Sequence, residues 1–367
     1  MKIATMVRGY IPVPQPADII YTPIGLAIDA SRQLIKRGHS VDFYAPTGSK
    51  LDIPLKTLNL KPLVRGYKSF NELLNNVDLL THYIPSLWDQ YLAGEMFKRA
   101  AAGDYDLLHF HHPETAMPFA KLYPEVPVVY SLHDPVFKWY KDLYKLYNTP
   151  NQFYISISNN QRNLEPELPY VKTVYNGISI DNLKFSNEHD NYLLFVGRIS
   201  PEKGVKEAIE IARKTKHKLL IIGQTYDHTL RYFQRHVEPE LDDQIQFLGY
   251  ISHNKISAYF RKAKAFLAPI QWEEPFGVTM VEAMACGTPV IGLKRGSIPE
   301  IVVNGKTGYI NSSIRGMIQA VGKIDKINRR DCREHVKNNF SIKKMADGYE
   351  EAYEMVLKKM NKKPSST

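Results

Sequence analysis

Cysteine is scarce. Cys286 and Cys332 are the only two in 367 residues, so no disulfide framework holds the chain, and neither stands at metal-ligand spacing. A reducing compartment is implied. Long apolar runs are missing as well, and none approaches the roughly 18 residues that a membrane span needs. The opening MKIATMVRGYIPVPQP is broken by Pro12, Pro14 and Pro16, and its apolar run is too short for a secretory leader. A cytosolic protein is expected. The first apolar segment, Lys2 to Val7, is not followed by G-x-G-x-x-G but by Arg8-Gly9-Tyr10 and a proline-rich loop to Ile20. That argues against a nicotinamide or flavin enzyme. Internal repeats and low-complexity tracts are absent. The net charge is +10, which attracts anions: phosphorylated substrates, an acidic membrane face or nucleic acid. The basic residues are spread along the chain, with modest clusters at Arg329-Arg330 and Lys358-Lys359. No nucleic-acid-binding signature accompanies them, so nucleic acid is not an expected partner.

What is present is an ordinary soluble composition, 44% hydrophobic and 23% charged, in a chain long enough for two domains. Short buried-strand patterns alternate with helical ones throughout, the signature of α/β folds with parallel sheets. Thr22-Pro23 reads as an N-cap and first helical residue, with Leu26, Ala30, Leu34 and Ile35 at helical spacing after it. Strands follow at Val41 to Tyr44, Asp106 to His111, Val126 to Asp134 and Gln152 to Ile157. His109, His111, His112 and His133 gather at two strand ends; a lone strand-end histidine is more often structural than catalytic. Tyr83, Trp88 and Tyr91 either shape an acceptor pocket or pack. We read 1–178 as the first domain, the polar stretch 179–190 as a linker and 191–340 as the second domain. Residues 341–367 are read as a long amphipathic helix with a solvated tail.

The second domain carries the chemistry. Ala265 to Ile270 and Pro289 to Gly292 read as buried strands, and Gly277 to Cys286 as the helix between them. The loop ahead of that helix lies at the carboxyl end of the sheet, where open α/β folds bind ligands. Glu274 sits in this loop and Glu282 within the helix, with seven residues between. The Phe276, Gly277, Val278 and Thr279 amides are donors at a helix start, and the helix end attracts phosphate. Gly277 lets a ligand approach the backbone. Carboxylates beside such a site accept bonds from hydroxyls, so a ligand with both phosphate and sugar hydroxyls fits. The alternative is a pair of exposed helix-start charges. Arg198 ends the strand read as Asn191 to Arg198, and Lys203 lies five residues on, across a tight loop ahead of a helix from Val205. Two cations there would clamp a diphosphate.

The run Gln271 to Gly292, QWEEPFGVTMVEAMACGTPVIG, resembles the donor-site motif of retaining glycosyltransferases of family four: glutamate, seven residues, glutamate. Gly197-Arg198 followed by Glu202-Lys203-Gly204 is similar to the family's donor-phosphate motif. The resemblance implies two doubly wound Rossmann-like domains facing across a cleft, with the C-terminal helix crossing back to the first. It implies that Glu282 holds ribose hydroxyls and Arg198 with Lys203 the diphosphate. Glu274 and the Phe276 to Thr279 amides would hold the transferred sugar, with His111 beside it. Tyr250 would stack on the base. The family usually carries Gly-Gly and Glu at the start of the first helix. Here Gly25 stands alone, either taking over the phosphate contact or permitting close packing. Uridine diphosphate donors are the commonest among lookalikes, with guanosine diphosphate mannose next. The acceptor, a sugar, lipid or small molecule, is not given, and a basic surface suits peripheral membrane contact. Cations would stabilise the leaving diphosphate and no Asp-x-Asp metal motif is recognised, so no cofactor or metal is expected to be needed. No residue is an obvious nucleophile, so same-face attack is the expected route. Other readings are an epimerase or phosphorylase on the same architecture, a non-catalytic nucleotide-sugar-binding protein, or a charge-driven nucleic-acid binder.

Overall fold

The computed structural model describes residues 1–361, apart from the side chains at 228, 253 and 254. The expected tail at 362–367 lies outside the described residues. The chain divides into two units, 1–175 together with the C-terminal helix from Ile342, and 176–341.

The first unit is built on a parallel sheet. Its strands are β1 (Lys2–Met6), β2 (Ser40–Tyr44), β3 (Leu55–Lys56), β4 (Leu107–Phe110), β5 (Val128–Leu132), β6 (Gln152–Ser156) and β7 (Tyr170–Thr173). They lie in the order β3-β2-β1-β4-β5-β6-β7. The strands are near-continuous apolar runs such as VVYSL and LLHF, because helices cover both faces of a parallel sheet. One face carries the helix Thr22–Lys36 and the long helix Ile342–Asn361. Met345, Tyr349, Ala352, Tyr353 and Val356, the apolar stripe of the latter, pack with Leu26, Ala30, Leu34 and strand residues Ile3, Leu107 and Val129. The opposite face buries Met96, Phe97, Phe110, Met117 and Tyr130. The first helix begins one residue earlier than its sequence suggests. Tyr21 is the N-cap and makes no side-chain cap bond, while Thr22 is already helical. The proline fixes the first turn regardless of which residue caps it.

The second unit has strands β8 (Tyr192–Val196), β9 (Lys218–Ile222), β10 (Ile245–Phe247), β11 (Ala265–Ala268), β12 (Val290–Leu293) and β13 (Gly308–Asn311). All pair in parallel, in the order β10-β9-β8-β11-β12-β13. Both sheets thus have the doubly wound order, in which the winding reverses between the first and fourth strands of each. Side chains from neighbouring strand ends converge at that point. The stretch 179–190, polar enough to suggest a linker, belongs to the second unit. Leu183 is buried, and Arg333 donates to the carbonyls of Leu183 at 2.6 Å and Ile180 at 3.1 Å. Arg329 does the same for Ser186 at 3.0 Å. These bonds run to main-chain oxygens, so the composition of the stretch gives no sign of them.

Candidate active site

The winding of the second sheet reverses between β8 and β11, and the loops that leave these two strands meet there. After β8 the chain makes a tight turn, Pro201–Lys203. Gly204 closes it at φ 78°, and a Cβ there would lie 1.9 Å from the Pro269 carbonyl oxygen. Only glycine allows so close an approach. After β11, Gln271 donates its N–H to the Glu202 carbonyl at 2.8 Å, tying one loop to the other. Lys203 and Glu274 are thereby brought together, and Lys203 Nζ donates to Glu274 Oε2 at 2.5 Å. Trp272 Nε1 donates to the same oxygen at 2.8 Å, and Lys203 Nζ lies 5.2 Å from the Trp272 ring centroid.

The loop that carries Glu274 is fixed along its length. Ser297 N–H donates to the Glu274 carbonyl at 2.9 Å, Ser297 Oγ to that of Phe276 at 2.6 Å, and Gly296 N–H to Glu273 Oε2 at 2.8 Å. Arg295 holds the Gln271 carbonyl at 2.6 Å. Gly277 is the N-cap of the helix Val278–Ala285 at φ 86°, a left-handed conformation that favours glycine. Val278 and Thr279 are its first helical residues, so their N–H groups point out of the helix end without an intrahelical acceptor. Glu282 lies further along the helix and is buried, as is Glu274. Arg198 is more open, its side chain 48% exposed and 3.8 Å from Glu202. Burial alone would push the Glu202 carboxyl up. The Ser200 hydroxyl at 2.7 Å, its own backbone and the charges of Arg198 and Lys203 outweigh burial and hold it below its usual range. Two cations and a helix start thus share one edge with two buried carboxylates, a set able to take phosphate and hydroxyls at once.

Tyr250 stands apart from this group, half-exposed after the edge strand β10, two strands away from β8. Contrary to the sequence reading, the chain does contain an Asp-x-Asp triplet, Asp104-Tyr105-Asp106, which precedes β4 at the amino edge of the first sheet. Asp104 pairs with Arg99 at 2.8 Å and Asp106 accepts Lys2 N–H at 2.6 Å. It is not part of either carboxyl edge.

The carboxyl edge of the first sheet holds the histidines. His111 is 2% exposed, its ring 4.3 Å from that of His109 and 5.1 Å from that of His133. Its Nδ1 shares a 2.8 Å bond with His133 Nε2. His109 is held by Ser131 and by Tyr353 of the C-terminal helix, each at 2.8 Å. Burial pushes His109 and His133 down to about 3. It lowers His111 too, helped by its histidine neighbours, so all three are neutral at pH 7. Gly25 sits in the first turn of its helix, exposed, with open space where a Cβ would be. Of its two sequence readings, close packing is removed. Tyr83 and Tyr91 are exposed at 71% and 55%, while Trp88 donates to the Lys61 carbonyl at 2.7 Å.

Sequence reasoning missed the network beside these histidines. Arg8 Nη1 meets Asp89 at 2.9 Å, Nη2 meets Glu114 at 3.4 Å and Nε donates to the Tyr21 hydroxyl at 3.1 Å. That hydroxyl also bonds His112 Nε2 at 2.5 Å. For Glu114, bonding and charge from His112 and the charge of Arg8 overcome burial and hold it at about 2. Burial raises Asp89 despite Arg8. The signal available was Arg8 itself, a cation directly after the first strand where a glycine-rich turn is usual.

The sequence matches the model of the group 1 glycosyl transferases over residues 179–342 and that of glycosyltransferase family 4 over residues 26–181. Together the two span most of the chain. The chain belongs to the family-four glycosyltransferases. An uncharacterized 41.2 kDa protein in the cps region of Klebsiella pneumoniae is 27% identical over 203 residues, 50% of this chain and 54% of that one, so the chain spans about half of that relative. The N-acetyl-alpha-D-glucosaminyl L-malate synthase of Bacillus anthracis is 24% identical over 375 residues, 90% of this chain and 93% of that one. Among solved structures, Anabaena Alr3699/HepE in complex with UDP and glucose superposes with a TM-score of 0.68 at 17% identity, covering 97% of this chain and 100% of that one. These likenesses agree with the two doubly wound sheets. Family membership makes the β8–β11 edge of this glycosyltransferase its candidate donor site.

Proposed function

We propose that this glycosyltransferase moves a sugar from a nucleoside diphosphate sugar to a hydroxyl acceptor with retention of anomeric configuration, and that uridine diphosphate is the favoured carrier. The observation that carries the reading is the convergence of Lys203 and Glu274, at 2.5 Å, beside the start of the helix that bears Glu282. A diphosphate placed there gains charge-assisted bonds from Lys203 and Arg198. Glu282 takes the ribose hydroxyls, and Glu274 with the Phe276 to Thr279 amides takes the sugar. Tyr250 is the proposed base contact, Gly25 a backbone contact to the donor phosphate, and His111 a neighbour of the transferred sugar. The uridine preference is supported by the UDP complex of the Anabaena protein.

The cations lower the barrier by stabilising charge on the departing diphosphate, so turnover needs no metal ion. The acceptor hydroxyl attacks the anomeric carbon from the face the diphosphate leaves, and the departing phosphate oxygen takes its proton. We place the reaction in the cytosol, in keeping with two free, buried cysteines. No helix among the described residues is long and apolar enough to cross a membrane. Peripheral membrane contact is supported by the helix Lys138–Tyr147, which exposes Trp139 and Leu146 beside Lys138. The expected partners are the donor and an acceptor that is a sugar, lipid or small molecule, with no role for nucleic acid.

The test is nucleoside diphosphate release from UDP-sugars with a panel of acceptors, with and without chelator, and proton NMR of the product's anomeric coupling. Retention without metal is the expected outcome. An inverted product, or activity abolished by chelator and restored by a divalent ion, contradicts it.

A further inference from the structure

One oxygen in the candidate donor site is claimed twice. Glu274 Oε2 accepts from Lys203 Nζ at 2.5 Å and from Trp272 Nε1 at 2.8 Å. Glu274 is 7% exposed, so these two donors supply solvation that water gives to a surface carboxylate. Its main chain cannot swing away, because Glu274 N–H donates to the Trp272 carbonyl at 3.0 Å and Ser297 N–H to the Glu274 carbonyl at 2.9 Å. Lys203 has the freedom that Glu274 lacks: it ends a short turn, and its charge sits on a flexible four-carbon stem. The lysine read as a diphosphate contact is therefore already occupied, by a group of this chain.

We propose that Glu274 is an internal competitor for Lys203, and that Trp272 is the positioning residue that makes the exchange with a diphosphate possible. The proposal rests on the reading of Lys203 as a diphosphate contact. A buried carboxylate stripped of its partners is strongly unfavourable. If Lys203 were its only donor, every nucleotide would have to strand Glu274 in order to bind. The indole N–H is a donor that carries no charge and does not serve phosphate in this arrangement. It holds Glu274 Oε2 while the ammonium moves to the diphosphate. The indole face, 5.2 Å from Nζ, keeps the lysine beside the loop until a stronger anion arrives. The exchange leaves Glu274 oriented by Trp272 with its charge no longer neutralised by Lys203, as acceptance of sugar hydroxyls requires.

The experiment measures dissociation constants by calorimetry for wild type, Glu274→Gln, Trp272→Phe and the double variant. The probe is whichever of UDP, GDP and ADP raises the wild-type melting temperature most. Glutamine keeps the shape of Glu274 but loses its hold on the ammonium. Glu274→Gln is expected to bind the nucleotide about 5-fold tighter than wild type, and Trp272→Phe about 5- to 10-fold weaker. The double variant should lie within about 2-fold of Glu274→Gln, because without the carboxylate nothing is stranded. A tryptophan that only fills space would weaken binding equally in both backgrounds, and that result overturns the proposal. Glu274→Gln binding no tighter than wild type also overturns it, and this isosteric variant serves even if Trp272→Phe does not fold. In both cases nucleotide binding by wild type leaves the donor-site reading standing. Wild type that binds none of the three nucleotides removes that reading and the proposal with it.

Discussion

Lys203 and Glu274 are 71 residues apart in sequence and 2.5 Å apart in space, and substitutions at each should have different signatures. Lys203→Ala and Arg198→Ala are each expected to weaken nucleoside diphosphate binding by roughly 1.5–3 kcal/mol, the range of a charge-assisted bond, read by calorimetry. Wild-type affinity in either variant would remove that residue from the clamp. Glu274→Ala should bind the nucleotide more tightly than wild type, as Glu274→Gln does, because the competitor for Lys203 is gone, and should cut turnover by at least about 100-fold, the effect of losing a group that acts on the reacting sugar. A collapse of nucleotide binding would show that Glu274 has been given the wrong part. These residues were legible in the sequence because their spacing within two short motifs is distinctive. Trp272 was not, since one aromatic next to a strand looks like packing, and only the shared Glu274 oxygen reveals its second use. The network of Arg8, Asp89 and Glu114, of which only Arg8 left a signal, was hidden for a related reason. They lie on three separate segments, and nothing in any one segment announces the other two.

The elements that present these side chains depend on a few backbone conformations and on neutral buried groups. Gly277 holds φ 86° at the helix start, so Gly277→Ala should cost about 1–2 kcal/mol in the left-handed region, seen as a drop of several degrees in melting temperature. A melting temperature equal to wild type would mean that the turn relaxes. In the first unit, the histidines on and just after β4 and after β5 give a pH dependence whose sign is fixed by burial. His109 and His133 are lowered to about 3 and His111 is lowered with them, against about 6.5 in the unfolded chain. The unfolded chain therefore takes up protons first as pH falls. Stability contributed by these neutral histidines is intact above about pH 6.5 and is lost on going down toward pH 3, by up to about 1.4 kcal/mol per pH unit for each. Urea unfolding at pH 7.5 and 5.5 should show the loss, and His133→Asn should reduce its slope. A slope unchanged by that substitution would mean that His133 is protonated in the folded unit. The helices were readable from their periodicity, as with the Met345 to Val356 stripe. The two-residue strand β3 was too short to leave a pattern.

At the scale of the whole molecule, two parallel sheets were foreseeable from the alternation of apolar runs and helical periods, while their doubly wound order was implied only by the family resemblance. Strand order followed from the family resemblance rather than from any residue. The stretch 179–190 shows where composition misleads. Its polar side chains suggest a free linker, while its carbonyls are held by Arg329 and Arg333 within the second unit. The edge between β8 and β11 is proposed to be a nucleotide-sugar site that works without metal. A thermal-shift screen with uridine, guanosine and adenosine diphosphates and their sugar conjugates, with and without chelator, tests it most directly, because a ligand that binds only the folded state raises the melting temperature. The expected result is a chelator-insensitive rise that is largest for uridine diphosphate or its conjugates and lost in Lys203→Ala. No rise with any of these nucleotides would contradict it.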